Sequence, residues 1–179
     1  TTTTRRYATF VTAKTRVAPT KQQTIPRLEL LATLALARLM KTTREALESV
    51  LELDKEVVCW SDSLVALYWI RGETKEWKQF VQLRVNEIRS LVPAASWRHC
   101  PGAENPADIP TRSIKFTEFH NCELWRNGPQ WLSEQLYPVE NLAGKMECPP
   151  EECLREMKKI SVPVKTLLLT EVTRQNMKQ

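Results

Sequence analysis

The chain has 179 residues, 42% of them hydrophobic, with 26 Lys and Arg against 21 Asp and Glu for a net charge of +5. That length and apolar content suffice for one sizeable core with a small appendage, and they exclude a disordered or collagen-like chain. The longest apolar run, Leu28 to Leu39, is interrupted by Glu29, Thr33 and Arg38, so no membrane segment is expected, and no charged-then-apolar signal peptide opens the sequence.

The positive charge is concentrated at the front, with nine basic against four acidic residues up to Leu53 and seventeen of each afterwards. Arg5, Arg6, Lys14, Arg16, Lys21 and Arg27 all precede the first acid, Glu29. They make an unopposed field that either meets phosphates or is simply solvated. The opening Thr-Thr-Thr-Thr-Arg-Arg run enters an apolar stretch without cap or turn and reads as a cut end. Tyr7 to Val17, rich in β-branched and aromatic residues and stopped by Pro19, predicts a strand. Thr24 and Pro26 then open a long helix to about Leu51, with Leu28, Leu31, Ala32, Ala35 and Leu39 at helical spacing. Val57 to Trp60 predicts a short buried strand, ended by the capping chemistry of Ser61-Asp62-Ser63, and a second helix covers Leu64 to Ile70. Trp77, Phe80, Val81, Val85, Ile88 and Val92 form the stripe of a third helix that Pro93 ends. Ala95 to His99 predicts another strand. Asn105 and Pro106 start a helical turn that Pro110, lacking a donor, cannot prolong. Strands alternating with helices predict an α/β domain over residues 1–115. Residues 116–179, with breaks at Pro138 and Pro149-Pro150 and one helical stretch from Glu151 to Lys159, predict an irregular or helical linker.

Three acids stand where an α/β sheet gathers side chains, at strand carboxyl ends and helix starts: Glu29, Asp62 and Asp108. Converging carboxylates suit a hard cation such as Mg²⁺ or Mn²⁺, which activates water and stabilises a leaving oxygen in phosphodiester cleavage. Each also has a plain structural role open to it: Asp62 or Asp108 as a helix cap, Glu29 as a complement to the helix dipole. Five cysteines without a CxxC pair favour reduced thiols in an intracellular, cytoplasmic or nuclear protein that is not secreted. His99, Cys100, His120 and Cys122 match no standard zinc-finger spacing. Of the six tryptophans, Trp60, Trp69, Trp77 and Trp97 fall on predicted helices or strands and are assigned to packing rather than base stacking.

Several motifs agree in order and spacing with one family. Ala13-Lys14-Thr15-Arg16-Val17-Ala18-Pro19, Thr24-Ile25-Pro26-Arg27-Leu28-Glu29-Leu30-Leu31, Trp60-Ser61-Asp62-Ser63, His99-Cys100-Pro101-Gly102 and Glu104-Asn105-Pro106-Ala107-Asp108-Ile109-Pro110-Thr111-Arg112 resemble the ribonuclease H-like region of Bel/Pao-type retrotransposon polyproteins. Trp125-Arg126-Asn127-Gly128-Pro129-Gln130-Trp131-Leu132 is similar to the stretch between that region and an integrase. The resemblance implies a ribonuclease H-like mixed sheet with flanking helices, and Mg²⁺-dependent hydrolysis of the RNA strand of an RNA:DNA hybrid during reverse transcription. It implies Glu29, Asp62 and Asp108 as metal ligands, with Asp62 nearest the reaction centre, and the basic stretch from Arg5 to Arg27 as a phosphate contact. Reverse transcriptase and integrase would be neighbours in the polyprotein. The family's first-strand Asp has no counterpart, since no aspartate precedes Glu29. The fold is therefore expected to be incomplete, lacking its first strands, and catalysis to be weak or absent. A non-catalytic module binding nucleic acid or protein is the alternative.

Overall fold

The computed structural model describes residues 7–54, 56–72, 76–111, 115–134 and 151–158. Its centre is a parallel pair of short strands, β1 (Cys59–Ser61) and β2 (Trp97–His99), in the register Cys59 to Trp97, Trp60 to Arg98 and Ser61 to His99. Parallel strands need a long crossover. Here α2 (Leu64–Arg71) and α3 (Gln79–Leu91) supply it, and α1 (Ile25–Leu47) precedes the unit and packs on α3.

Side-chain period explains which faces close. Cys59, Ser61 and Trp97 are buried on the helix side of the pair, whereas Trp60 points the other way and meets Trp131 with ring centroids 4.6 Å apart. The third-helix stripe is found as predicted: Val81, Val85 and Ile88 of α3 are buried, flanked by buried Trp77 and Val92. Residues Ala66 to Ile70 of α2 are buried all round, and Arg89 closes the helix by donating to the carbonyls of Trp69, Ile70 and Gly72. In α1 the buried face is Leu30, Thr33, Leu34 and Ala37, not the predicted Leu28, Leu31, Ala32, Ala35 and Leu39. The helix carries two overlapping apolar stripes, and packing on α2 and α3 selects the second.

The strand predicted for Tyr7 to Val17 does not form. This segment has no regular secondary structure and is open to solvent, with Val17 93% exposed. β-propensity expresses fit to a pleated, half-buried surface, and among the described residues no strand lies beside this one. It is anchored through Phe10, whose N–H donates to the Arg126 carbonyl at 2.7 Å and whose ring sits 5.0 Å from that of Trp125.

Residues assigned to a linker include segments that pack. A 3₁₀ helix at Pro106–Thr111 contacts α5 (Glu123–Asn127), which follows α4 (Phe116–His120) and precedes α6 (Trp131–Glu134). The last described element, α7 (Glu151–Leu154), lies against α2 and buries Cys153 completely. No helix of the described residues is long and apolar enough to cross a membrane.

Candidate functional site

The carboxyl ends of β1 and β2 open onto the three acids singled out in the sequence. Asp62 follows β1 directly but does not cap α2. Ser63 does, its Oγ accepting from the Ala66 N–H at 3.1 Å while its own N–H donates to Ser61 Oγ at 3.2 Å. Asp62 is thereby released from the plain structural role open to it.

Asp108 lies in the first turn of the 3₁₀ helix. Asn105 supplies the cap there, accepting from the Ala107 N–H on Oδ1 at 3.1 Å and from the Asp108 N–H on its carbonyl at 3.2 Å. Gly102, on the turn just after β2, has an oxygen of each aspartate near it. A Cβ built there would stand 3.4 Å from Asp62 Oδ2 and 3.9 Å from Asp108 Oδ2. Both oxygens therefore border one small space that the missing side chain keeps open.

Glu29 reaches the same region from α1. It lies beyond the first helical turn, so the dipole role does not apply, and its Oε2 accepts a hydrogen bond from Ser63 Oγ. Burial pushes the Glu29 carboxyl up, the Ser63 hydroxyl pulls it down, and the charges of Asp62, Asp108 and Glu152 push it up again. Cys100 reports the same field. Its buried thiol is pushed up to about 11, first by burial and then by Asp62, Glu104 and Asp108.

The donor set is carboxylate oxygen, which suits Mg²⁺ or Mn²⁺. Mg²⁺ keeps several waters and is commonly held by one or two carboxylates plus a substrate phosphate. Asp62 and Asp108 each present a carboxylate oxygen near Gly102, and Glu29 is hydrogen-bonded to Ser63, the residue after Asp62. No three His, Cys, Asp or Glu side chains among the described residues already surround one ion position.

The basic residues divide. Arg5 and Arg6 lie outside the described residues. Lys14, Arg16 and Lys21 are exposed along the irregular segment, which runs from its anchor on α5, beside the turn carrying Asp108, to the start of α1, the helix carrying Glu29. Arg27 is committed to the fold: its Nε and Nη2 donate to Glu156 at 2.7 and 3.0 Å. Ser63, Gly102, Cys100 and Glu152 were not singled out as site residues from the sequence. Ser63, Cys100 and Gly102 stood in the quoted motifs; Glu152 did not.

Residues 1–63 match the family model described as Pao retrotransposon-like RNaseH-like domain, a span that includes Glu29, Asp62 and Ser63 and stops before Asp108. This part of the chain is similar to a Pao-type ribonuclease H-like region. Neither the curated proteins nor the solved structures gave a match.

Proposed function

We propose, from the premise that residues 1–63 form a Pao-type ribonuclease H-like region, that Asp62, Asp108 and Glu29 hold Mg²⁺ or Mn²⁺ for hydrolysis of the RNA strand of an RNA:DNA hybrid. The observation that carries the reading is the pair of aspartate oxygens bordering the space at Gly102. When bound, the ion supplies a polarised water and charge neutralisation at the scissile phosphate. The protein's own part is placement. Asp62 and Asp108 fix the ion at the strand ends, the Ser63 hydroxyl holds the Glu29 carboxylate beside it, and Lys14, Arg16 and Lys21 draw the phosphate backbone toward it. Of the four carboxylates that the family resemblance assigns to this work, these are the three that the chain supplies from Glu29 onward.

A second reading has its own observation. Glu29 is already engaged by Ser63, and no three acids surround a common point among the described residues. A module that binds nucleic acid or protein without cleaving it fits that arrangement. Thermal unfolding with and without Mn²⁺ tests the first reading, because an ion that binds only the folded chain raises Tm, by about 1.4 kcal/mol of stability at ten times its Kd. The wild type should shift and Asp108→Asn should lose most of the shift. An equal shift in both would remove Asp108 from the site. Hybrid binding without any metal shift favours the second reading.

A further inference from the structure

The first turn of α1, which leads directly into Glu29, is opened by Pro26 but has neither a side-chain cap from Thr24 nor an acidic residue to complement its leading N–H groups. Beside a local bond from Arg27 Nη1 to Gln23 Oε1 at 3.4 Å, this turn is tied to the far end of the described chain. Arg27 meets Glu156 through two charge-assisted hydrogen bonds at 2.7 and 3.0 Å, and Glu156 is only 7% exposed. The Arg27 guanidinium also lies 4.6 Å from the centre of the Phe80 ring, which fixes its plane.

The segment carrying Glu156 is itself firmly seated. The Lys78 N–H donates to the Glu156 carbonyl at 2.7 Å and the Lys158 N–H to the Glu76 carbonyl at 2.9 Å. An antiparallel bridge joins Trp77 to Met157, and Cys153 is fully buried beneath the segment against α2. A planar bidentate pair transmits position as well as charge.

We infer that residues 151–158 are a strap whose Glu156 positions Glu29 by clamping Arg27 two residues before it, so that release of the strap loosens one edge of the acidic site. The inference rests on the proposed function only in giving Glu29 a role at the metal. Glu156 and Arg27 are positioning residues; neither touches the ion or the substrate. The same strap brings Glu152, whose charge is felt at Glu29. A docked strap therefore fixes the turn that carries this carboxylate and adds, through Glu152, the least of the charges that act on it. Glu156 is buried while Arg27 is partly exposed, so removing the Glu156 charge leaves Arg27 free to turn to solvent and the clamp should release.

The test compares the full chain, Glu156→Gln, and the charge-swapped double variant Arg27→Glu with Glu156→Arg, by thiol labelling with mass detection and by amide hydrogen exchange. Cys153 reports the strap, Cys59 in β1 reports general opening, and the amides of Leu28 to Leu31 report the turn at Glu29. In Glu156→Gln, labelling of Cys153 and exchange at Leu28 to Leu31 should rise at least about tenfold while Cys59 and the amides of Val85 to Ile88 hold their rates. The charge swap should return both toward wild type, and Mn²⁺ affinity should fall and recover with them. Fast Cys153 labelling with unchanged exchange at Leu28 to Leu31 overturns the positioning role. So does an unchanged Cys153, or a parallel rise of Cys59 in both variants, which would make the strap a general stabiliser. A wild type that binds no Mn²⁺ would defeat the proposed function and leave the strap to be judged on labelling and exchange.

Discussion

In a Gly102→Ala variant the new methyl carbon would stand 3.4 Å from Asp62 Oδ2 and 3.9 Å from Asp108 Oδ2, ordinary contact distances that require neither carboxylate to move. The backbone accepts the change, since among the described glycines the positive φ belongs to Gly128. Reduced freedom of the unfolded chain should then stabilise the protein by about 0.4–1 kcal/mol, or raise Tm by about 1–4 °C for a chain of this size. The effect on metal has the opposite sign. A Mg²⁺ or Mn²⁺ ion on these oxygens sits about 2.1 Å away and carries its own waters, and the methyl fills the space they need. Loss of that space predicts about tenfold weaker binding, equivalent to about 1.4 kcal/mol. Calorimetric unfolding with and without Mn²⁺ reads both effects. A variant as stable as the wild type with an undiminished metal response would refute an ion shared at Gly102, and a strongly destabilised variant would refute the packing on which the reasoning stands.

Ser63→Ala removes both the α2 cap and the donor to Glu29; it should cost about 1–2 kcal/mol in urea unfolding and move the Glu29 titration, followed by carboxyl NMR, further up. An unmoved titration would show that the Ser63 bond does not act on Glu29. Arg89→Ala strips charged donors from the carbonyls of Trp69, Ile70 and Gly72. The expected loss is about 2 kcal/mol, and a loss near zero would mean that water replaces the cap. Burial pushes the Cys59 thiol up from 9.0 to about 11, so its stabilising contribution is complete below pH 9.0 and is lost as pH rises through 11. Between pH 9.0 and about 11 stability should fall by about 1.4 kcal/mol per pH unit for this thiol, and Cys59→Ala should make that limb shallower, leaving the share of Cys100, in denaturation curves taken at several pH values.

Periodicity and capping chemistry made much of the frame readable in advance. The α3 stripe survived because its apolar positions follow one helical line from Trp77 to Val92. The α1 face was misread because Leu28, Leu31, Ala35 and Leu39 compete with Leu30, Leu34 and Ala37, and only the neighbouring helices choose between them. Tyr7 to Val17 carries strand propensity without a strand to pair with among the described residues. At the site, the three acids could be named from their places beside strands and helix starts. That Ser63 and not Asp62 caps α2 could not, because either side chain serves as an N-cap and tertiary placement decides. The Arg27 to Glu156 clamp spans 129 positions, and no local pattern encodes a contact of that separation.

Cleavage of an end-labelled RNA:DNA hybrid with Mn²⁺, by the wild type and by Asp62→Asn, tests the central claim most directly. Slow, metal-dependent loss of the RNA strand is expected with the wild type, abolished in Asp62→Asn without loss of folding. Equal cleavage by both proteins would contradict it, as would an inert wild type that stays inert when a strand bearing an additional aspartate is supplied.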